Sequence, residues 1–260
     1  MNWKSQQNSD GGWAYSRGCS WTEPTALVLL AQSATGIDRD SFEAGAKFLR
    51  SLAGPDGGWR PQSGVSESTW VTSLVGLLPP EVTGVQQHRR AIGWLKGQTG
   101  KESDGPGGLP KGWPWFPGAS AWVVPTSLAI LAFERELQFQ PDPEISGRIA
   151  DGKRFLLSRM CADGGWNYGG NRALGRDGDS YPETTGVALL ALRGVQAGRS
   201  VAAAKRHLAE CRGAEGIAWL RMGLAAHGEI STAPREPVLR TNTDAALWAL
   251  ASAARNPFIS

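Results

Sequence analysis

The chain has 260 residues, 41% hydrophobic and 20% charged, which suits a folded domain with a sizeable core and excludes a disordered chain. A net charge of +3 is too small to argue for a nucleic-acid partner. The cysteines Cys19, Cys161 and Cys211 are scattered, the first residues carry no apolar leader, and no apolar run is long enough to span a bilayer, so a cytoplasmic protein with reduced thiols is expected.

In chain order, the first residues are too few for a full helix before the turn Asp10–Trp13. An apolar helix follows near 23–33, opened by Trp21-Thr22-Glu23-Pro24 and stopped at Gly36. A second, amphipathic helix carries Phe48-Leu49 and ends near Gly54, and the turn Asp56–Trp59 leads to an apolar helix near 68–78. The pattern recurs with an amphipathic helix through Trp94-Leu95, an irregular stretch at about 99–120, and an apolar helix near 121–133. It recurs again with Phe155-Leu156, the turn Asp163–Trp166, an irregular stretch at about 167–182, and an apolar helix near 183–193. Further apolar helices are predicted near 214–227 and 241–254, separated by a loop at about 229–240. No alternating run predicts a strand.

Asp-Gly-Gly-Trp therefore occurs three times, and Gly107-Gly108-Leu109 with Gly112-Trp113 is a degenerate fourth copy; the tryptophans lie about 46–54 residues apart. Each unit is an amphipathic outer helix, a Gly-rich turn and an inner helix that is apolar all round and so must be buried on every side. Gly45, Ala91 and Gly152 stand three residues before the outer-helix aromatic, a spacing that lets that ring lie along its own helix. Trp13, Trp59 and Trp166 are expected to join repeats structurally, with the indole packed on the neighbouring helix.

The string Gln7-Asn8-Ser9-Asp10-Gly11-Gly12-Trp13 resembles the QW repeat of squalene–hopene cyclases and the related protein prenyltransferases. Trp21-Thr22-Glu23-Pro24-Thr25-Ala26-Leu27 is similar to the inner-helix starts of prenyltransferase/squalene-oxidase repeat proteins. The resemblance implies an all-α fold, an (α/α)6-type toroid over 1–260 as a single domain, incomplete at the N-terminal outer helix. The repeat Gln survives only as Gln7 and Gln98; Ala53 and Met160 replace it elsewhere. Squalene-type cyclases have two such helical domains, and this chain corresponds to one.

The resemblance also directs attention to particular residues. Cyclases of this family protonate an alkene or epoxide with an aspartic acid of an Asp-x-Asp-Asp motif, kept protonated by burial or a neighbouring carboxylate. In the matching window Tyr181-Pro182-Glu183-Thr184 only Glu183 falls on the donor position; Asp179, in Asp177-Gly178-Asp179-Ser180, is out of register, and Glu23 holds the Glu183 position in the first repeat. The catalytic candidates are thus Glu183, Asp179 and Glu23, set against a structural reading in which an acid stabilises a helix N-terminus. The zinc triad of the protein prenyltransferases has no counterpart; His207 and Cys211 read as a packed pair, and no metal site is expected. Arg172 and Arg176 would hold a diphosphate, with Mg2+ on Asp177 and Asp179 if the substrate is a diphosphate; Arg235 and Arg240 flank the last inner helix, and the bland alternative for both is a solvated loop.

Trp113, Trp115, Phe116 and Trp122 cluster, and Trp21, Trp70 and Tyr181 lie at other inner-helix starts. Together they suit an aromatic-lined cavity for a prenyl or polyprenyl ligand, with core packing as the alternative. Peripheral membrane contact through 113–116 is compatible with this reading. The competing functions are a non-catalytic lipid-binding or scaffold toroid and, more weakly, a carbohydrate-active α/α toroid.

Overall fold

The computed structural model describes residues 2–101, 110–169, 172–173, 176–232 and 236–259, with backbone alone at 172–173 and 176–177. Residues divide into two compact units, one of Met1–Gln98 with Leu239–Phe258 and one of Thr99–Val238. The first unit holds α1 (Thr22–Thr35), α2 (Arg39–Ser51), α3 (Val71–Gly76), α4 (Pro80–Thr83), α5 (Val85–Gly97) and α11 (Asn242–Ser252). The second holds α6 (Val123–Glu136), α7 (Pro143–Ser158), α8 (Pro182–Ala191), α9 (Gly198–Glu210) and α10 (Ala214–Ala226).

The apolar helices pack on one another in succession. In the first unit α1 packs against α11 and α3; in the second α8 packs against α6 and α10. The amphipathic helices α2, α5, α7 and α9 bury one stripe, such as Gly45, Ala46, Phe48 and Leu49 of α2, against this apolar layer. Composition explains the division: α1, α6 and α8 have buried residues on every face, because their buried positions are chiefly Ala, Leu, Val and Ile, and the polar ones among them are uncharged Thr, Ser or Gln.

The repeated turn is a hydrogen-bonded clasp, and each residue of its signature has a task. The turn aspartates Asp10, Asp56 and Asp163 accept from the backbone N–H two residues on and from Ser20, Ser68 and Ser180 just before the inner helix, the serine bonds being 2.6–2.7 Å long. The first glycine of each pair has a positive φ, as at Gly57 (101°), where a Cβ would stand 3.0 Å from the Arg90 carbonyl of α5. Trp13, Trp59, Trp113 and Trp166 each donate the backbone N–H to an inner-helix threonine, Thr25, Thr72, Thr126 and Thr185, at 2.8–3.0 Å. The indoles of Trp59 and Trp166 donate to Leu49 and Leu156 carbonyls in the last turns of α2 and α7, as second donors beside the backbone N–H groups of Leu52 and Arg159. These tryptophans are buried to 0–2% exposure.

A second interlock runs between neighbouring inner helices. The carbonyl two residues after a turn tryptophan accepts the first N–H of another inner helix: Tyr15 from Asn242 (2.6 Å), Pro61 from Thr22 (2.9 Å) and Tyr168 from Val123 (2.9 Å). Of the three helices so joined, α1 and α6 start without a side-chain cap, while α11 has in addition a capping box between Thr241 and Asp244.

Several sequence expectations are corrected. Gly45 is small because the Trp13 indole of the preceding turn lies on it: a Cβ there would be 2.7 Å from that ring, and one at Gly152 would be 2.9 Å from Trp113. The small residue serves the neighbouring turn, not its own helix's aromatic. α3 is shorter than predicted because Pro79 and Pro80 lack the N–H groups that would continue it, and the short α4 starts at Pro80. Before the first Gly-Trp turn the described residues form a 3-10 turn at Lys4–Gln6. One small ribbon departs from the expectation of no strands: Arg172–Ala173 pairs antiparallel with Arg176–Asp177, a contact too local to show as an alternating run.

Candidate functional site

Two inner-helix starts carry the same arrangement, one in each unit. In the first, Trp21 caps α1 and Glu23 sits in its first turn. Tyr15, two residues after Trp13, lies against Trp21 with centroids 5.7 Å apart and the rings tilted by 55°, and its phenol donates to Glu23 Oε2. In the second, Tyr168, two residues after Trp166, lies 5.5 Å from Tyr181 at the start of α8 and donates to Glu183 Oε1 at 3.2 Å. The register follows from the fold. The clasp fixes the tryptophan against the inner-helix threonine, so the side chain two residues later is brought over the first turn of that helix.

The two carboxyls differ in surroundings. Glu23 is half-buried, and removal from solvent pushes its pKa above the ordinary glutamate value of 4.5, with the hydrogen bond from Tyr15 partly offsetting the rise. In the second copy the perturbed group is the phenol: desolvation and the negative charge of Glu183, with Glu215 adding, raise the Tyr168 pKa. Tyr168 and Tyr181 remain 45% and 44% exposed, so this copy presents two ring faces to solvent.

The predicted site residues separate into groups. Trp21 and Glu23 come together, as do Tyr181 and Glu183. Trp122 caps α6, half-buried, and its ring lies against Gly169, where a Cβ would be 2.8 Å from it. Trp70 and Trp115 are half-buried, and Phe116 is 50% exposed. Trp113 does not line a surface: it is 2% exposed, donates to Thr126 like the other turn tryptophans, packs edge-on against Phe133 at 5.6 Å and lies under the Arg148 guanidinium at 4.0 Å. Asp179 is exposed, in the irregular stretch before α8. The side chains of Arg172 and Arg176 lie outside the described residues. Tyr15 and Tyr168 were missed, although Trp-x-Tyr in two of the turns was the signal available.

His207 and Cys211 have separate partners. Its Nε2 lies 2.6 Å from Ser180 Oγ, which donates to Asp163, while the Cys211 thiol points to the Gly213 carbonyl. Ser180, His207 and Asp163 do not form a hydrolytic triad, because the serine sits between acid and imidazole and is the same clasp serine found at Ser20 and Ser68. Desolvation alone would raise Asp163, but the bonds from Ser180 and Gly165 and the charge of His207 hold it below the ordinary aspartate value. Among the described residues no cluster of three metal-ligating side chains occurs, and no helix is long and apolar enough to cross a membrane.

The sequence matches no protein-family model and no curated protein. Solved structures define the class: the fold is all-α, of the α/α-toroid type. The type II terpene cyclase MstE from Scytonema is similar at 16% identity over 86% of this chain and 69% of its own, with a TM-score of 0.59. A variant of that enzyme is known with geranylgeranyl dihydroxybenzoate as substrate. The endo-beta-1,4-glucanase CMCax from Acetobacter xylinum is similar at 12% identity over 96% of this chain and 94% of its own, with a TM-score of 0.64. A reducing-end-xylose releasing exo-oligoxylanase is similar at 12% identity over 96% and 89%, with a TM-score of 0.60. At these identities the likeness concerns the fold.

Proposed function

We propose that the chain is an isoprenoid-handling protein acting as one domain over 1–260, in which aromatic rings at the inner-helix starts hold a prenyl chain and Glu23 is the proton donor. The observation that carries this reading is the Glu23 carboxyl, shifted toward its neutral form beside the faces of Tyr15 and Trp21. Its proton would add to a substrate C=C, forming a C–H bond and a carbocation. The electron-rich ring faces would stabilise that cation by ~0.5–2 kcal/mol each. Loss of a proton from an adjacent carbon to the carboxylate or water would restore neutrality and the acid. In the first unit Tyr15 is the positioning residue and Trp70 a further candidate for apolar contact; in the second unit Trp115, Phe116, Trp122 and Tyr181 are the candidates for contact, and Glu183 is the acid of that copy. Arg172 and Arg176 remain candidates for a diphosphate, with Mg2+ entering for that substrate alone.

The test is incubation of the native chain, Glu23→Gln and Glu183→Gln with squalene and prenyl diphosphates, followed by mass-spectrometric product analysis. A product lost at least about 100-fold in Glu23→Gln, with prenyl binding kept, is the expected result. Absence of turnover by the native chain with binding retained overturns the catalytic role and leaves a lipid-binding toroid. A second reading has one observation in its favour: the exposed Tyr168 and Tyr181 faces beside Glu183 suit stacking against a sugar ring. Release of reducing sugar from cello- or xylo-oligosaccharides, lost in Glu183→Gln, would establish it in place of the first.

A further inference from the structure

The loop after the first turn and the start of α11, both in the first unit, enclose a cleft of about 280 Å3 lined chiefly by Gln6, Ser16, Arg17, Arg240, Thr241 and Asn242. Arg17 and Arg240 are exposed, and among the described residues neither guanidinium is engaged in an ion pair. The nearby Asp244 does not line the cleft; its Oδ2 accepts the backbone N–H groups of Arg240 and Thr241 at 3.0 Å each and so occupies the helix end. Attraction for an anion therefore comes from the two guanidiniums rather than from the helix N-terminus.

Asn242 supplies the second demand. It is 3% exposed, and its orientation is fixed because the Ala14 carbonyl needs the donor that Asn242 Nδ2 provides at 2.9 Å. Its Oδ1 is buried and, among the described residues, accepts no hydrogen bond. A buried acceptor left without a donor costs about 1–3 kcal/mol, so a ligand that donates there is favoured. The site asks for negative charge and a hydroxyl donor at once. Sulfate and carboxylates are fully ionised near neutral pH and supply only the first; a phosphoryl group that retains one P–OH supplies both.

We propose that this cleft binds a protonated phosphoryl anion, held by Arg17 and Arg240 and donating its P–OH to Asn242 Oδ1. The cleft shares its loop with the Glu23 site, since Asn242 N–H donates to the Tyr15 carbonyl at 2.6 Å, but the proposal does not rest on the prenyl reading. Two sources fit, free phosphate and the phosphorylated head of a prenyl chain.

The experiment is titration of the full chain with inorganic phosphate, and with sulfate as comparison, by calorimetry. Phosphate is expected to bind at least about ten-fold more tightly than sulfate, and Arg17→Gln and Arg240→Gln, both at the surface, are each expected to weaken phosphate by about ten-fold or more, whereas Lys47→Gln changes nothing. No phosphate binding, equal affinity for sulfate, or indifference to both arginine changes overturns the proposal. Geranylgeranyl monophosphate, titrated alongside free phosphate at about pH 6 so that a large share of it keeps its P–OH, forms the second arm. Tighter, arginine-dependent binding than free phosphate supports the site with a prenyl head as its source; equal affinity supports the site with free phosphate as its ligand. A lack of turnover on prenyl substrates with arginine-dependent phosphate binding intact separates failure of the functional reading from failure of the site.

Discussion

Replacing Thr72 by valine isolates the hydrogen bond that ties each turn to its inner helix. Thr72 is fully buried, accepts the Trp59 N–H at 2.8 Å and donates to the Thr69 carbonyl at 2.7 Å. Valine fills nearly the same space, so the change leaves little cavity but strands the Trp59 N–H. The Thr69 carbonyl keeps a partner, because the Thr72 backbone N–H also reaches it at 3.0 Å. The expected loss is therefore that of one buried unsatisfied donor, about 1–3 kcal/mol. Thr72→Ser keeps the oxygen and removes one methyl, for about 0.8 kcal/mol. Thr243 provides the opposite case. It holds the same place in α11, where no Gly-Trp turn precedes the helix, and its buried hydroxyl has no partner. Thr243→Val is expected to be neutral or stabilising, since it removes a polar group that nothing satisfies. Urea and thermal unfolding followed by circular dichroism measure all three. If Thr72→Val costs no more than Thr72→Ser, or if Thr243→Val is as damaging as Thr72→Val, the clasp is not what the inner-helix threonine is for.

The remaining predictions concern backbone, charge and pH. Gly57 and Gly18 both have positive φ, 101° and 96°, but only Gly57 has a neighbour within 4 Å, the backbone and Cβ of Arg90. Gly18→Ala should cost about 1–3 kcal/mol from strain alone, and Gly57→Ala should exceed it by roughly 1 kcal/mol or more through the clash, as read from unfolding midpoints. Glu134 accepts from Lys153 at 2.7 Å and pairs with Arg193 at 2.6 Å with all three side chains largely buried, so Glu134→Ala should destabilise by on the order of 3–5 kcal/mol, and a loss under about 1 kcal/mol would show the network to be solvated. Glu23 binds its proton more tightly folded than unfolded, so its contribution is greatest below the unfolded-state value of 4.5 and is lost as pH rises through the raised folded value. Glu23→Gln should flatten that fall and raise the melting temperature at neutral pH; an unchanged pH profile would contradict a desolvated carboxyl.

The sequence was informative where one residue type repeats at one place. The Gly-Trp turns and the oily second helices could be read because burial on every face permits little besides Ala, Leu, Val and Ile, and a turn with positive φ selects glycine. Other features were hidden because their partners are distant in sequence. Gly45 answers to Trp13, which belongs to the preceding turn, so a reading confined to one helix assigned it the wrong neighbour. Trp113 sits among other aromatics in sequence and was grouped with them, yet its backbone bond to Thr126 makes it a turn residue like Trp59. Asp179 could be matched to a motif by type and near-register, but exposure cannot be read from a lone residue in a long loop.

The repeat also locates where function can lie. Trp, Thr, Ser and Gly of the clasp are committed to hydrogen bonds or close contacts that hold the helices, so altering them changes stability first. What varies between copies is what the scaffold leaves free. The residue two after the turn tryptophan is Tyr15, Pro61 and Tyr168 in the three Asp-Gly-Gly-Trp copies, and its backbone carbonyl does the same structural work in each. The side chain is therefore not needed for the interlock, yet in two copies it is a tyrosine bonded to a glutamate in the first turn of the inner helix. Proline at the same place shows that the fold does not require the phenol. A tyrosine–glutamate pair on a position the architecture leaves open is in keeping with the ligand site proposed above. Tyr15→Phe and Tyr168→Phe should accordingly leave the melting temperature within about 0.5 kcal/mol equivalent of the native chain, as for ordinary surface changes, while altering whatever the site binds. A large stability loss in both would assign the pairs to the scaffold instead.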